Sequence, residues 1–150
     1  MFVDKKDALL LKGKMSARLT HEDGSFEDFE KDNIIVTVGY DYICNVIGLA
    51  SQPAAMGYIA VGTGVTAPAS ADTALQTELV RQAATYAHTA GTKVFTLSTT
   101  FAAGVGTGAL TESGVFNASS AGVMFDHVTF SVINKAASDT LTQTFTFTLS

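Results

Sequence analysis

The sequence predicts a mainly β protein: an antiparallel β-sandwich, jelly-roll-like, with one long and one short α-helix and an N-terminal β-hairpin arm. Three observations carry this expectation. Residues 93–101 and 140–149 alternate apolar with hydroxylated side chains at a period of two, as strands do when one face meets a core and the other meets solvent. Short runs of Gly, Ser and Ala separate the strand-like segments. Helical periodicity is confined to early segments and does not alternate with strands, which argues against parallel βαβ units. At 150 residues and 47% hydrophobic, the chain is one domain's worth of sequence and needs no disulfide framework to bury a core.

In chain order, Ala17 to Thr20 leads into Asp23-Gly24, a dipeptide suited to the positive backbone angles of a hairpin turn, and Phe26 and Phe29 follow on the return. A two-stranded ribbon is marginal alone, so this hairpin is expected to lie on the body or on a neighbouring subunit. Val36 to Leu49 then changes period, placing Val38, Tyr42, Val46 and Ile47 on one helical face, with Thr37 as the N-cap and Gly48 at the end. A short helix is expected over Thr73 to Leu79, where Thr73 and Gln76 have capping-box spacing. Tyr58 to Val61 reads as a strand. Phe95, Leu97 and Phe101 share one face of the next, opposite Thr96, Ser98 and Thr100. Val123 to Ile133 is apolar on both faces, as in a central strand. The last strand sets Leu141, Phe145, Phe147 and Leu149 against five threonines. Gly104 to Gly108, Ser113-Gly114 and Ala118 to Gly122 are read as turns.

Charge divides the chain. Residues 1–41 hold 15 of the 23 charged side chains, which sets a boundary between a charged arm, 1–32, and a β-sandwich body, 33–150. The overall charged fraction, 15%, lies below the about 25% of ordinary domains. A net charge of -5 with no Lys/Arg stripe argues against nucleic acid as a partner. No stretch approaches the length of a membrane span, and the apolar run Ala8 to Leu11 is too short for a signal-peptide core. A soluble product made in a cytoplasm is expected.

Motifs for chemistry are sparse. Gly62-Thr-Gly64-Val-Thr-Ala67 has the outline of a dinucleotide fingerprint, but Pro68 follows at once where a helix should open, so a tight strand-exit turn is expected. His21, His88 and His127 form no metal-binding spacing, and His127 must face away from its neighbour Asp126. Cys44 is expected to be buried in the long helix, without a local catalytic signature. No nucleophile elbow occurs, and Asn117-Ala-Ser119 reads as a polar turn. No catalytic, cofactor-binding or metal residue is assigned, and no small-molecule substrate is expected. Glu112, Arg81 and Lys135 are singled out as structural charge contacts, since isolated charges in so apolar a body are either exposed or paired. Glu78 and Arg81 have the spacing to pair with each other. Phe26, Phe29, Phe125 and His127 are the candidate assembly interface.

Asn33-Ile-Ile-Val, Tyr58-Ile-Ala-Val-Gly-Thr-Gly, Pro68 to Asp72, Thr73-Ala-Leu, Glu78-Leu-Val-Arg81, Leu110-Thr-Glu-Ser-Gly-Val-Phe-Asn117, Phe130 to Lys135 and the Thr-rich last strand occur in this order. Over residues 33–150 this resembles a family of small tailed-bacteriophage virion proteins, described as head decoration (cement) or tail-fibre-like proteins. Met124-Phe-Asp-His127 departs from the pattern, which has a leucine and an arginine there, and Phe145 stands where tryptophan is frequent. The resemblance implies a non-enzymatic virion component. It is expected to form a homotrimer that binds the major capsid protein on the outer head surface; the alternative is a tail, fibre-base or receptor-binding component.

Overall fold

A computed structural model describes residues 9–150. In chain order it contains strands β1 (Leu11–Thr20) and β2 (Phe26–Ile35), helix α1 (Thr37–Gly48), and strands β3 (Tyr58–Gly62), β4 (Glu78–Ala83), β5 (Thr85–His88), β6 (Val94–Phe101), β7 (Gly108–Phe116), β8 (Asp126–Lys135) and β9 (Thr140–Leu149). Among the described residues the fold is therefore mainly β with one helix. All pairings are antiparallel, in the order β4-β3-β7-β8-β2-β1-β9-β6-β5. The two edge strands are consecutive in sequence and joined by Ala84 alone, so the sheet curls until its edges nearly meet. Thr99 Oγ1 donates to Ala83 O at 2.7 Å near this seam. The thinnest joint is elsewhere: β2 and β8 pair only through Ile34↔His127 and Ile35↔Asp126.

The period-two reading places the core correctly. Leu141, Phe145 and Phe147 of β9 and Leu97 and Phe101 of β6 point inward, where Phe147 lies edge-on to Phe125 at 5.1 Å. Hydroxyls on the opposite face satisfy one another across strands, Ser98 with Thr144 and Thr100 with Thr142, each at 2.9 Å. Gln143 shares the buried face of β9. Its neighbour Ser113 donates to Ala60 O at 2.7 Å and lies 2.9 Å from the Gln143 amide. With that amide turned, Nε2 donates to the Ser113 oxygen while the Ser113 hydroxyl donates to Ala60 O.

The hairpin turns at Asp23-Gly24 as expected, with Gly24 at φ 85°. It does not stand apart as an arm. β1 lies between β2 and β9 in the sheet because Met15, Ala17 and Leu19 alternate inward, leaving Lys14 and Arg18 on the outer face. The expected boundary at 32/33 falls inside β2. Residues 1–8 of the expected arm lie outside the described residues.

α1 ends at Gly48 as expected, but its N-cap is Val36, without a side-chain cap bond. Thr37 is the first helical residue and its amide donates to Ser70 O. The helix touches the body at Gly39, where any Cβ would sit 2.2 Å from Phe125 O. Cys44, expected to be buried, is exposed. The short helix expected over Thr73 to Leu79 is absent: the amides of Gln76 and Thr77 bond to Glu112, and β4 begins at Glu78 to pair with β3. Ser113-Gly114, read as a turn, lies within β7, where Gly114 admits the close approach of Asp126 O, 2.6 Å from a notional Cβ.

Candidate functional site

Glu112 enters the interior from β7 and is fully buried. Its Oε1 accepts the amides of Gly64 (3.0 Å) and Thr77 (2.7 Å), and its Oε2 accepts that of Gln76 (2.9 Å). One carboxylate thus gathers both ends of the 63–77 loop, supplying acceptors to amides that otherwise have no strand partner. The Gly-Thr-Gly turn exists for this approach: a Cβ on Gly62 or Gly64 would lie 2.6 or 2.5 Å from Glu112 Oε1. The glycines that outline a nucleotide fingerprint therefore cradle an anion carried by the chain itself.

His127 of β8 completes the cluster. Its Nε2 lies 3.1 Å from Glu112 Oε2 and its Nδ1 2.7 Å from Asp72 Oδ2, which also accepts the Ala69 amide. Both bonds form together when each ring nitrogen carries a proton. Burial pushes Asp72 up, but the Ala69 amide and His127 outweigh it and hold the carboxyl below its usual range. A cavity of about 250 Å³ beside the cluster is bordered by Thr66, Asp72, Gln76 and His127. Both oxygens of Glu112 and both nitrogens of His127 are engaged by these contacts, so the two side chains hold the 63–77 loop in place.

Arg81 and Lys135 also make internal contacts, at separate places. Arg81 pairs with Glu78 through Nε–Oε1 (3.0 Å) and Nη2–Oε2 (2.7 Å). It donates from Nη1 to Ala118 O and Ala121 O, and its guanidinium lies 3.6 Å above the Phe116 ring. Pairing at i, i+3 is unusual in a strand. Here the register irregularity opposite Val61/Gly62 brings both side chains to one face. Lys135 is buried and donates to Ala102 O (3.0 Å) and Asp139 O (2.7 Å), joining the β6–β7 and β8–β9 connections; burial lowers its pKa. Close to it, His21 reaches Asp139 (3.0 Å) and Glu27 (3.1 Å), and its pKa is raised, first by Asp139.

Asp126 faces away from its neighbour, as strand alternation requires. It accepts the Val115 amide at 2.9 Å and a bond from Asn33 Nδ2, and burial pushes its pKa up to about 8. The candidate interface residues do not come together on one surface. Phe26 is exposed under Arg18 and Phe29 is half-buried, whereas Phe125 and His127 lie inside the subunit. Phe125 and His127 are thereby corrected as free assembly contacts: α1 packs on Phe125, just before β8, and Asp72 of the 63–77 loop packs on His127 within it.

Asp72, Asn33, Gln143 and the His21–Asp139 contact escaped sequence reasoning, since each depends on residues far apart in the chain. The one local signal was a single acidic residue inside an apolar strand, following a Gly-x-Gly turn. A further feature, also unannounced by the sequence, is an apolar cleft of about 510 Å³ between α1 and the end of the sheet where β1 begins and β9 finishes. Among the described residues there is no group of three or more His, Cys, Asp or Glu placed to hold a metal ion, and no helix long and apolar enough to cross a membrane. No protein-family model, curated protein or solved structure matches the chain.

Proposed function

We propose that this protein is a non-enzymatic structural subunit of a tailed-phage virion, a decoration protein that binds the major capsid protein on the outer head surface as a homotrimer. The observation that carries this reading is where the body spends its charges. Of the eight charged residues after position 41, Asp72, Glu78, Arg81, Glu112, Asp126, Lys135 and Asp139 all make internal bonds, and Lys93 alone makes no side-chain bond to a described residue. A surface finished with Thr, Ser and Ala instead of free charge loses little hydration when a partner covers it, and its short side chains lose little entropy. The residue pattern of 33–150 supplies the phage assignment. In this reading the nearly closed sheet is a jelly-roll-like sandwich, with β4-β3-β7-β8 as one layer and β2-β1-β9-β6-β5 as the other, turning at the two-pair joint between β2 and β8.

The test is the copy number of the chain in purified particles together with its mass in solution. Densitometry giving hundreds of copies per head, and sedimentation giving three chains per particle, support the proposal. A few copies that co-fractionate with tails favour the tail or fibre-base alternative. Absence from particles overturns both.

A further inference from the structure

We propose that the free edge of β2 pairs, antiparallel and about a two-fold axis at Phe29, with β2 of a second copy of this chain. This inference stands apart from the virion reading and holds or fails without it.

β2 is bound along its whole length on one side only. Its register with β1 is unbroken from Phe26 to Asn33, whereas its pairing with β8 stops at Ile34. Among the described residues, β2 has no strand partner on that side from Phe26 to Asn33. The centre of this stretch, Phe29, stands opposite Ala17, well inside the described chain. A strand edge presents a row of backbone donors and acceptors to any extended chain, and proteins commonly blunt it with proline, a bulge or a very short strand. β2 has ten residues, no proline and no register shift against β1.

The side chains on the edge select the occupant. Those that share a face with Lys14 and Arg18 are balanced within the chain: Arg18 holds Asp28 at 2.7 and 2.8 Å, and Lys14 reaches Glu30 at 3.4 Å. On the other face Phe29 is half-buried against the core, with Glu27 two residues before it and Lys31 two residues after it, both exposed. Glu27 lies 3.1 Å from His21 Nε2 through Oε1. Lys31 makes no side-chain bond to a described residue. In a two-fold antiparallel pair one residue faces its own copy on the axis, and residues equally far on either side of it face each other on the same side of the sheet. Centring the axis on Glu27, Asp28, Glu30 or Lys31 sets a charge against itself. Phe29 is the one centre among these five positions that does not. It places ring beside ring and Glu27 opposite Lys31 twice, once on each side of the axis. Asp28 and Glu30 then face each other, but each already has its own cation. The strand is thus charge-complementary to itself in a single register. A ribbon this short is a small contact, so the pairing is reversible.

In the full-length chain with the exposed Cys44 removed by Cys44→Ser, Phe29→Cys places one thiol on the axis. Directly opposed strand residues have Cα atoms about 4.5 to 5.5 Å apart, within reach of a disulfide. In oxidised glutathione, covalent pairs should form several-fold faster than with Ala90→Cys, an exposed position between β5 and β6. Adding Lys31→Glu or Glu27→Lys should bring the rate down to that control, since either change makes both charge pairs repulsive. Mixing the two charge variants should restore it, because Glu27 then faces Lys31 on one side of the axis and the two substituted residues face each other on the other. Phe29→Cys chains that link no faster than the control overturn the proposal. So do charge changes without effect, or a mixture that stays slow. Sedimentation at high concentration gives a reading free of the Phe29 change: Lys31→Glu should halve the mass of the unaltered chain's particle, from two chains to one or, where three-fold assembly also holds, from six to three. Equal masses overturn the proposal.

Discussion

His127 and His21 each stand between two carboxylates, Asp72 and Glu112 for the first, Asp139 and Glu27 for the second, at nitrogen–oxygen distances of 2.7 to 3.1 Å. The contacts are alike and the settings are not: the His127 side chain is 4% exposed and that of His21 is 33% exposed. Between His127 and Glu112, whose side chains are 4% and 1% exposed, a missing partner is poorly replaced by water, and the cluster becomes the anchor of a 15-residue loop, 63–77. Around His21 solvent reaches the ring and Glu27, although Asp139 is itself buried, so the same arrangement adds a small, pH-dependent increment. Geometry alone does not rank interactions. Burial does.

The sharpest way to break this comparison is Glu112→Gln. An amide in that place presents a donor to amide protons, leaving at least one buried N–H unpaired and His127 without its second carboxylate. A loss of about 4 kcal/mol in unfolding free energy is expected, within the range for breaking a buried charged network. Urea denaturation measures it, and limited proteolysis should find new cleavage within 63–77. Gly64→Ala should approach the same loss, because its Cβ would displace the carboxylate and the Gln76 side chain together. A near-neutral Glu112→Gln would mean that water reaches the cluster after all.

Asp126 sharpens the comparison from the opposite side, as a buried carboxyl with one amide donor, one asparagine and no facing charge. The groups packed on it are Asn33 of β2 and the Val115 amide of β7, and burial raises its pKa from 3.8 to about 8. The native state thus keeps a proton that the unfolded state has released. The stability that Asp126 contributes is greatest below about pH 4, declines through the interval up to about pH 8, and is level beyond it. At ~1.4 kcal/mol per pH unit, the decline between pH 5 and 7.5 is about 3 kcal/mol. Asp126→Asn should flatten this slope, and parallel pH profiles for the two proteins would show that Asp126 ionises freely in the folded chain. The site sits at the two-pair joint of β2 and β8.

Arg81→Lys is next in size. Lysine keeps the charge but loses the two-pronged contact with Glu78, one of the two carbonyl bonds to the 117–122 loop, and the planar stack on Phe116. A cost of about 2 kcal/mol in thermal or urea unfolding is expected. An unchanged midpoint would show that the position needs only a cation.

These cases also explain what was legible in the sequence. Strands β6 and β9 were, since alternation is a local pattern and burial on one face is all it requires. So was the pairing of Glu112, Arg81 and Lys135, because a lone charge in an apolar stretch has few ways to be satisfied. The partners were not legible. Glu112 meets residues 35 to 48 positions away, and those contacts are what remove the helix expected over 73–79, since its amides are committed elsewhere. β1 was misjudged for a related reason: charge density describes its outer face, while Met15, Ala17 and Leu19 between the charges decide that it lies inside the sheet. Phe125 and His127 show the limit of reading an interface from residue type, since aromatic and polar residues serve equally well in a covered interior.

The smallest effect belongs to His21 and is distinguished by its direction. Asp139 first and Glu27 second raise its pKa above 6.5, so the folded state binds the proton more tightly than the unfolded state. The resulting stabilisation is complete below the unfolded value and is lost as pH rises through the raised folded one. Asp139 runs the other way: its pKa is lowered chiefly by the Ala136 amide, so its own contribution is present above 3.8 and fades in acid, and it survives removal of the histidine. His21→Gln should therefore lower the melting temperature slightly at pH 5.5, less so in high salt, and leave it unchanged at pH 9. A deficit of equal size at both pH values would mean that the ring acts by packing across the β1–β2 and β8–β9 turns, and that exposure at this site does not weaken the contact in the way the comparison with His127 requires.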